Sequence, residues 1–104
     1  MQLSMELSKA NFAENLNTKF WLKDPPGERT ALDLVEVREG KSAPRYETFT
    51  LIFRGDPSKI HPQRTYPLEH ATIGEFDLFL VPVGRDQQGT MYEAVFNRTI
   101  GNHG

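Results

Sequence analysis

The chain has 104 residues, a formal net charge of −2 and no cysteine. This length predicts a single β domain over residues 1–104, with residues 1–7 and 98–104 flexible. The small net charge argues against nucleic acid or an anionic membrane as a partner. The chain start lacks the basic and apolar regions of a signal peptide, and no apolar run approaches the ~20 residues of a membrane span, which predicts a cytoplasmic protein.

One short helix is predicted near the start of the chain, from Lys9 to Leu16. Ser8 can cap its first turn with the side-chain hydroxyl, and Leu7 and Phe12 have the spacing of a hydrophobic staple. Phe12 and Leu16 lie four residues apart, so they share one helix face. We expect this face to cover apolar side chains of a sheet.

Six later segments have the apolar and polar patterns that are typical of strands. The predicted strands are Thr18–Lys23, Thr30–Arg38, Tyr46–Arg54, Thr65–His70, Glu75–Val83 and Met91–Asn97. In the second strand the apolar phase changes between Leu34 and Val35, which predicts a β-bulge. The connections are too short for crossover helices. The sequence therefore predicts a mainly β fold, a six-stranded, mostly antiparallel small barrel or sandwich with one short N-terminal helix.

The segment Phe76–Val83 is the most apolar part of the chain, and only Asp77 interrupts it. A strand with one solvated face alternates strictly, so the second face of this strand needs a cover, either the helix or a partner. Pro82 has no N–H group and belongs at a sheet edge or a bulge. We therefore expect interaction through exposed apolar and aromatic side chains. The candidate interaction residues are Phe79, Val81, Pro82 and Trp21.

No catalytic, cofactor or metal site is predicted. Glu69 and His70 are the best acid–base candidates, but neighbouring strand residues point to opposite faces, so we expect His70 to be partly buried and locally hydrogen-bonded. An enzyme that uses Glu69, His70 or Asp77 is the least favoured hypothesis. The segment Gly84–Gly89 has the glycine spacing of a phosphate loop but lacks its lysine and joins two strands, which indicates a hairpin. The three histidines lack metal-ligand spacing.

Four segments of the chain carry a resemblance to a known family. They are Phe49–Gly55, Tyr66–His70, Phe76–Gly84 and Tyr92–Asn97. Together they resemble an uncharacterised family of short bacterial β-domains, a domain of unknown function, and Phe12 and Phe20 sit where such domains have a short helix running into a first strand. The resemblance implies no catalytic residues. Similar domains look like companions of phage-tail-like or other surface assemblies, which implies a structural or adaptor role.

These observations predict a non-enzymatic structural or protein-interaction module, and the resemblance implies that it is an accessory to a phage-tail-like or surface assembly. Such a module would bind a protein partner or self-associate, and it would need no cofactor. The alternative is a small-ligand-binding β-barrel. Against this alternative, about eight strands are needed to enclose even one small ligand, and only six are predicted.

Overall fold

The computed structural model describes residues 7–41 and 43–99. Its elements are α1 (Lys9–Glu14), β1 (Lys19–Leu22), β2 (Thr30–Glu39), β3 (Tyr46–Gly55), β4 (Arg64–His70), β5 (Gly74–Asp86) and β6 (Gly89–Thr99). The flexibility predicted for residues 1–7 and 98–104 falls mostly outside the described residues, which leave out 1–6 and 100–104. None of the helices in the described ranges is long and apolar enough to cross a membrane.

The six strands form one antiparallel sheet that closes on itself. The strand order is β1-β2-β3-β6-β5-β4, and pairing between β1 and β4 completes a closed barrel. The longest ladder joins β3 to β6, from Tyr46 opposite Thr99 to Gly55 opposite Thr90. The prediction of a mainly β, antiparallel fold with one short helix is confirmed, and of the barrel and sandwich that the sequence left open the chain forms the barrel.

Two irregularities bend the sheet where the sequence changes its pattern. The register between β2 and β3 shifts between Leu34 and Glu36, which confirms the predicted bulge. A second shift, between Pro82 and Gly84, interrupts the pairing of β5 with β6. Because proline cannot donate to a ladder, a bulge next to Pro82 avoids the loss of a hydrogen bond in a regular pair.

The inside of the barrel is filled by buried side chains. The largest of them are Phe12, Phe20, Phe49, Phe53, Tyr66 and Tyr92. The Phe12 ring comes from α1, and its centroid lies 6.1 Å from Phe20, 6.1 Å from Phe49, 5.9 Å from Phe76 and 5.3 Å from Phe96. The short helix therefore packs one aromatic side chain into the core between the strands.

The helix is shorter than predicted. Ser8 is its N-cap, and the Ser8 hydroxyl accepts a hydrogen bond from the Asn11 N–H at 3.2 Å. The helix ends at Glu14 rather than Leu16, because Asn15 departs from helical geometry and Asn17 takes a left-handed conformation with φ 66°. Leu16 is 39% exposed, so the expectation that Phe12 and Leu16 together form a covering face is wrong.

The loop between β5 and β6 is also shorter than predicted. β5 continues to Asp86 and β6 begins at Gly89, which leaves a two-residue connection. The Asp86 carboxylate accepts hydrogen bonds from the backbone N–H groups of Gln88, at 2.8 Å, and Gly89, at 3.1 Å. The interpretation of this segment as a hairpin rather than a phosphate loop is confirmed.

Candidate functional site

The outer face of β5 carries apolar side chains that the barrel does not bury. Leu78 and Leu80 point inward and are buried, whereas Phe79 points outward and is 50% exposed. Val81 shares the outer face of the strand and is partly exposed. The apolar character of both faces of β5 thus has two causes, core packing on one side and an uncovered surface on the other.

A residue of β6 extends this surface. Val95 is 64% exposed, and Tyr92 and Ala94 on the opposite face of β6 are buried. Val81 lies opposite Glu93 in the last pair of this ladder, and Val95 follows Glu93 by two residues, so Val81 and Val95 face the same side of the sheet. We refer to Phe79, Val81 and Val95 as the apolar outer patch.

The patch lies where β5 and β6 separate. β5 pairs with β4 over Gly74–Leu80 and with β6 only from Val81 onward. β6 pairs with β3 along its length, but within the described strands no pairing joins Ala94–Thr99 to β5. We call the opening between these two segments the seam. Among residues 7–41 and 43–99, the backbone groups that face the seam have no ladder partner, so in this part of the chain both segments are strand edges on that side.

The helix contacts both sides of the seam through one side chain. Phe12 contacts Phe76 on the β5 side and Phe96 on the β6 side. Phe12 is fully buried, while Phe79 and Val95 stay at least half exposed. The helix therefore supports the two sides of the seam and leaves the patch uncovered.

The other two predicted interaction residues lie apart from this patch. Pro82 is opposite Tyr92, whose side chain is buried, so it belongs to the inward-facing set of β5. Trp21 is on the outer face of β1, separated from β5 by β4, and the Arg29 guanidinium lies 4.6 Å from its ring centroid. The structure brings together Phe79 and Val81 but neither Pro82 nor Trp21. Val95 was not among the predicted interaction residues. The sequence could have indicated it, because it alternates along β6 with apolar residues that face inward and so must face outward.

The acid–base candidates do not form a joint site. His70 points inward and is 5% exposed, whereas Glu69 points outward and lies 3.7 Å from the Arg29 guanidinium. Burial lowers the pKa of His70. Asp77 is exposed on the outer face of β5. Across residues 7–41 and 43–99, no group of three or more His, Cys, Asp or Glu side chains could hold a metal ion.

A comparison with known protein families finds a match that covers most of the chain. The family model for a domain of unknown function, DUF6916, matches residues 7–96. This range includes α1 and β1 to β5 complete and most of β6. The resemblance to an uncharacterised domain family is confirmed by this match. No curated protein and no solved structure gives a significant match.

Proposed function

This chain belongs to the DUF6916 family, and we propose that it is a non-enzymatic structural or protein-interaction module. The observation that carries the proposal is the apolar outer patch, in which Phe79 is 50% and Val95 is 64% exposed. Aromatic and aliphatic side chains grouped on one exposed face are typical of interaction surfaces.

The seam supports a particular mode of binding. Exposed strand edges pair readily with an added strand, and apolar pockets beside the edge select alternate side chains of that strand. Asp77 and Glu93 border the patch on the outer face. The partner that fits best is an extended segment with alternating apolar side chains and flanking basic residues, from another protein or from a second copy.

A role in a phage-tail-like or surface assembly of bacteria is the finer part of this proposal. It rests on the resemblance of the four segments described above, together with a small domain whose patch and seam suit an adaptor. The identity of the neighbouring genes tests it. Genes for tail or surface-assembly proteins beside this one are the expected result, and a surrounding set of metabolic genes would argue against it.

The absence of enzymatic activity is also part of the proposal. Its support is the separation of Glu69 and His70 onto opposite faces, together with the local hydrogen bonds that occupy His70. A general acid or base needs a substrate within hydrogen-bond reach, and a buried imidazole with both nitrogens engaged offers none.

The test of the interaction surface compares two substitutions with a matched control. Phe79→Ser and Val95→Thr remove exposed apolar area from the patch, and Ile60→Ser removes a similarly exposed side chain from a loop. A photo-crosslinking residue placed at position 79 should form adducts with a partner or a second copy, and one at Ile60 should not. Sedimentation velocity over a concentration series should detect self-association that the two patch substitutions abolish.

Two results would count against the interaction surface. One is a monomer at every concentration with no adduct at position 79. The other is association that survives both patch substitutions while the variants remain folded. The control variant Ile60→Ser should still associate, which would show that the loss of any exposed apolar side chain is not enough to abolish association.

Small-ligand binding inside the barrel is the alternative function. It has less support because buried aromatic rings occupy the interior. An apolar fluorescent probe titrated into the native protein tests it. We expect no saturable binding, and saturable binding that an inward-facing substitution weakens would favour the alternative.

A further inference from the structure

A cleft outside the barrel shares no lining residue with the apolar outer patch. It has a volume of about 440 Å³ and is lined by the start of β2, the end of β3, the loop that follows β3 and the turn between β5 and β6. Clefts of this size accommodate small molecules. The cleft is formed by strand ends and loops, so it is independent of the filled interior.

The charged side chains of the cleft favour an anion. Three basic residues, Arg29, Arg54 and Lys59, line it together with two acidic residues, Asp33 and Asp56. The basic side chains outnumber the carboxylates, and a concave site with low-dielectric walls strengthens the field of an excess charge. A charged side chain of the cleft can bind a ligand only where it does not already form an ion pair or hydrogen bond with another residue.

Both carboxylates of the cleft already have partners. Asp33 forms an ion pair with Lys19 at 3.3 Å. Asp56 accepts hydrogen bonds from the Ser58 backbone N–H and from its hydroxyl, both at 2.8 Å. These hydrogen bonds, with a smaller contribution from the Lys59 charge, lower the pKa of Asp56. Neither carboxylate neutralises Arg54 through a direct contact.

Two of the three basic side chains remain available. Arg29 is held over Trp21 and lies 3.7 Å from the Glu69 carboxylate. Arg54 and Lys59 form no ion pair with any residue in the described ranges. The Arg54 Nε–H is buried and has no hydrogen-bond partner in the same part of the chain. Because this nitrogen is closed to solvent, an oxyanion in the cleft would meet the terminal N–H groups of Arg54, a residue that lines the cleft.

The Arg54 side chain is held in position by the turn that lies beside it. A Cβ atom at Gly89 would lie 2.4 Å from Arg54 Cγ and 2.5 Å from the Gly55 carbonyl oxygen. The backbone at Gly89 thus packs directly against the aliphatic part of Arg54, and only glycine permits this approach. Pre-organisation of this kind lowers the entropy that an arginine loses when it binds an anion.

We propose that this cleft binds a small molecule through an oxyanion, a carboxylate or a phosphate group, held by Arg54 and Lys59. Arg54 supplies directional N–H donors, and Lys59, an exposed residue of the lining, supplies a second positive charge. The site does not depend on the apolar outer patch, so each of the two proposals can fail without the other.

Titration of the isotope-labelled chain with inorganic phosphate, and separately with acetate, tests the site by NMR at constant ionic strength. Saturable shifts are expected at the amides of Gly55, Asp56 and Gln88 and at the Arg54 side-chain N–H. Arg54→Gln should weaken binding about tenfold or more, because a charged hydrogen-bonding partner is lost. Lys59→Gln, at an exposed position, should weaken it less. Saturation by one anion and not the other would assign the ligand class.

Lys41→Gln is the matched control, because it removes the same charge from an exposed site beyond the opposite end of β2. It should leave the affinity for the anion unchanged. Absence of saturable shifts with both anions would overturn the proposal. So would equal weakening by Lys41→Gln and Lys59→Gln, since this would indicate a general charge effect. Lys59→Gln keeps the test decisive if Arg54→Gln fails to fold.

Discussion

At His70 both ring nitrogens take part in hydrogen bonds. Nδ1 accepts from the backbone N–H groups of Thr72, at 3.0 Å, and Ile73, at 3.2 Å. The proton therefore sits on Nε2, which donates to the Thr18 hydroxyl at 2.8 Å, and that hydroxyl donates to the Asn15 carbonyl at 2.6 Å. A neutral imidazole thus links the turn after β4 to the turn after α1.

Acid should destabilise the protein through this histidine. Burial lowers the pKa of His70, so below about pH 6.5 the unfolded chain binds a proton that the folded protein does not. The contribution to the free energy of unfolding is therefore complete above this pH and is lost as the pH falls below it. Urea unfolding of His70→Asn, which keeps an acceptor near Nδ1, should have a shallower pH dependence than the unsubstituted protein.

His61 provides the comparison for this experiment. Its pKa is also lowered, chiefly by burial and secondarily by the Lys59 charge. His61→Asn should remove a separate part of the pH dependence. If His70→Asn retains the full slope, the neutral buried imidazole is not the cause of acid sensitivity.

The local role of His70 was predictable, but its distant partner was not. Strand alternation separated it from Glu69 and placed it with inward-facing Tyr66 and Leu68, and all three are buried. Thr18 lies 52 residues earlier in the chain. Only the closure of the barrel brings β1 and β4 together, so no local pattern could identify this hydrogen bond.

At the scale of elements, the local contacts of α1 were predictable from the sequence, but its packing position in the barrel was not. The Ser8 cap and the packing of Leu7 against the core agree with the predicted cap and staple. The helix has six residues, too few for independent stability in water. Its position therefore depends on the burial of Phe12 among aromatic rings of four strands.

Truncation of Phe12 should separate core packing from helix formation. Phe12→Ala should lower the free energy of unfolding by about 3–5 kcal/mol, because a fully buried ring leaves a cavity. Leu16→Ala, at a position that is 39% exposed, should cost less than about 1 kcal/mol. Chemical denaturation of both variants measures the difference. Similar losses would mean that the helix packs through both side chains, as its spacing first predicted.

At the scale of the whole molecule, the barrel is closed unevenly. β3 pairs with β6 through ten residue pairs and with β2 on its other side. The β1–β4 ladder has two residue pairs, Trp21 opposite Glu69 and Leu22 opposite Leu68, and the Lys23 N–H donates to the Pro67 carbonyl beyond it. The closing contact thus has the shortest ladder of the sheet, and we expect it to open most readily.

Native-state hydrogen exchange should report this difference. Backbone amides of β3 are expected to exchange only through global unfolding, whereas amides of β1 should exchange roughly tenfold faster or more through local opening. Where the opened segment closes faster than its amides exchange, each exchange rate gives the free energy of opening. Equal protection of β1 and β3 would mean that the barrel opens only as one cooperative unit.

The sequence by itself determined the number of strands, their approximate bounds, the bulge in β2 and the hairpin between β5 and β6. These features depend on alternation and turn chemistry within short segments, where neighbouring residues decide the outcome. Only the tertiary structure decided the strand order, the incomplete pairing of β5 with β6 and the placement of Arg54 and Lys59 in one cleft. These features depend on contacts between segments that are distant in the sequence. The pattern of one strand shows which of its faces is apolar, but it does not show which other segment packs against that face.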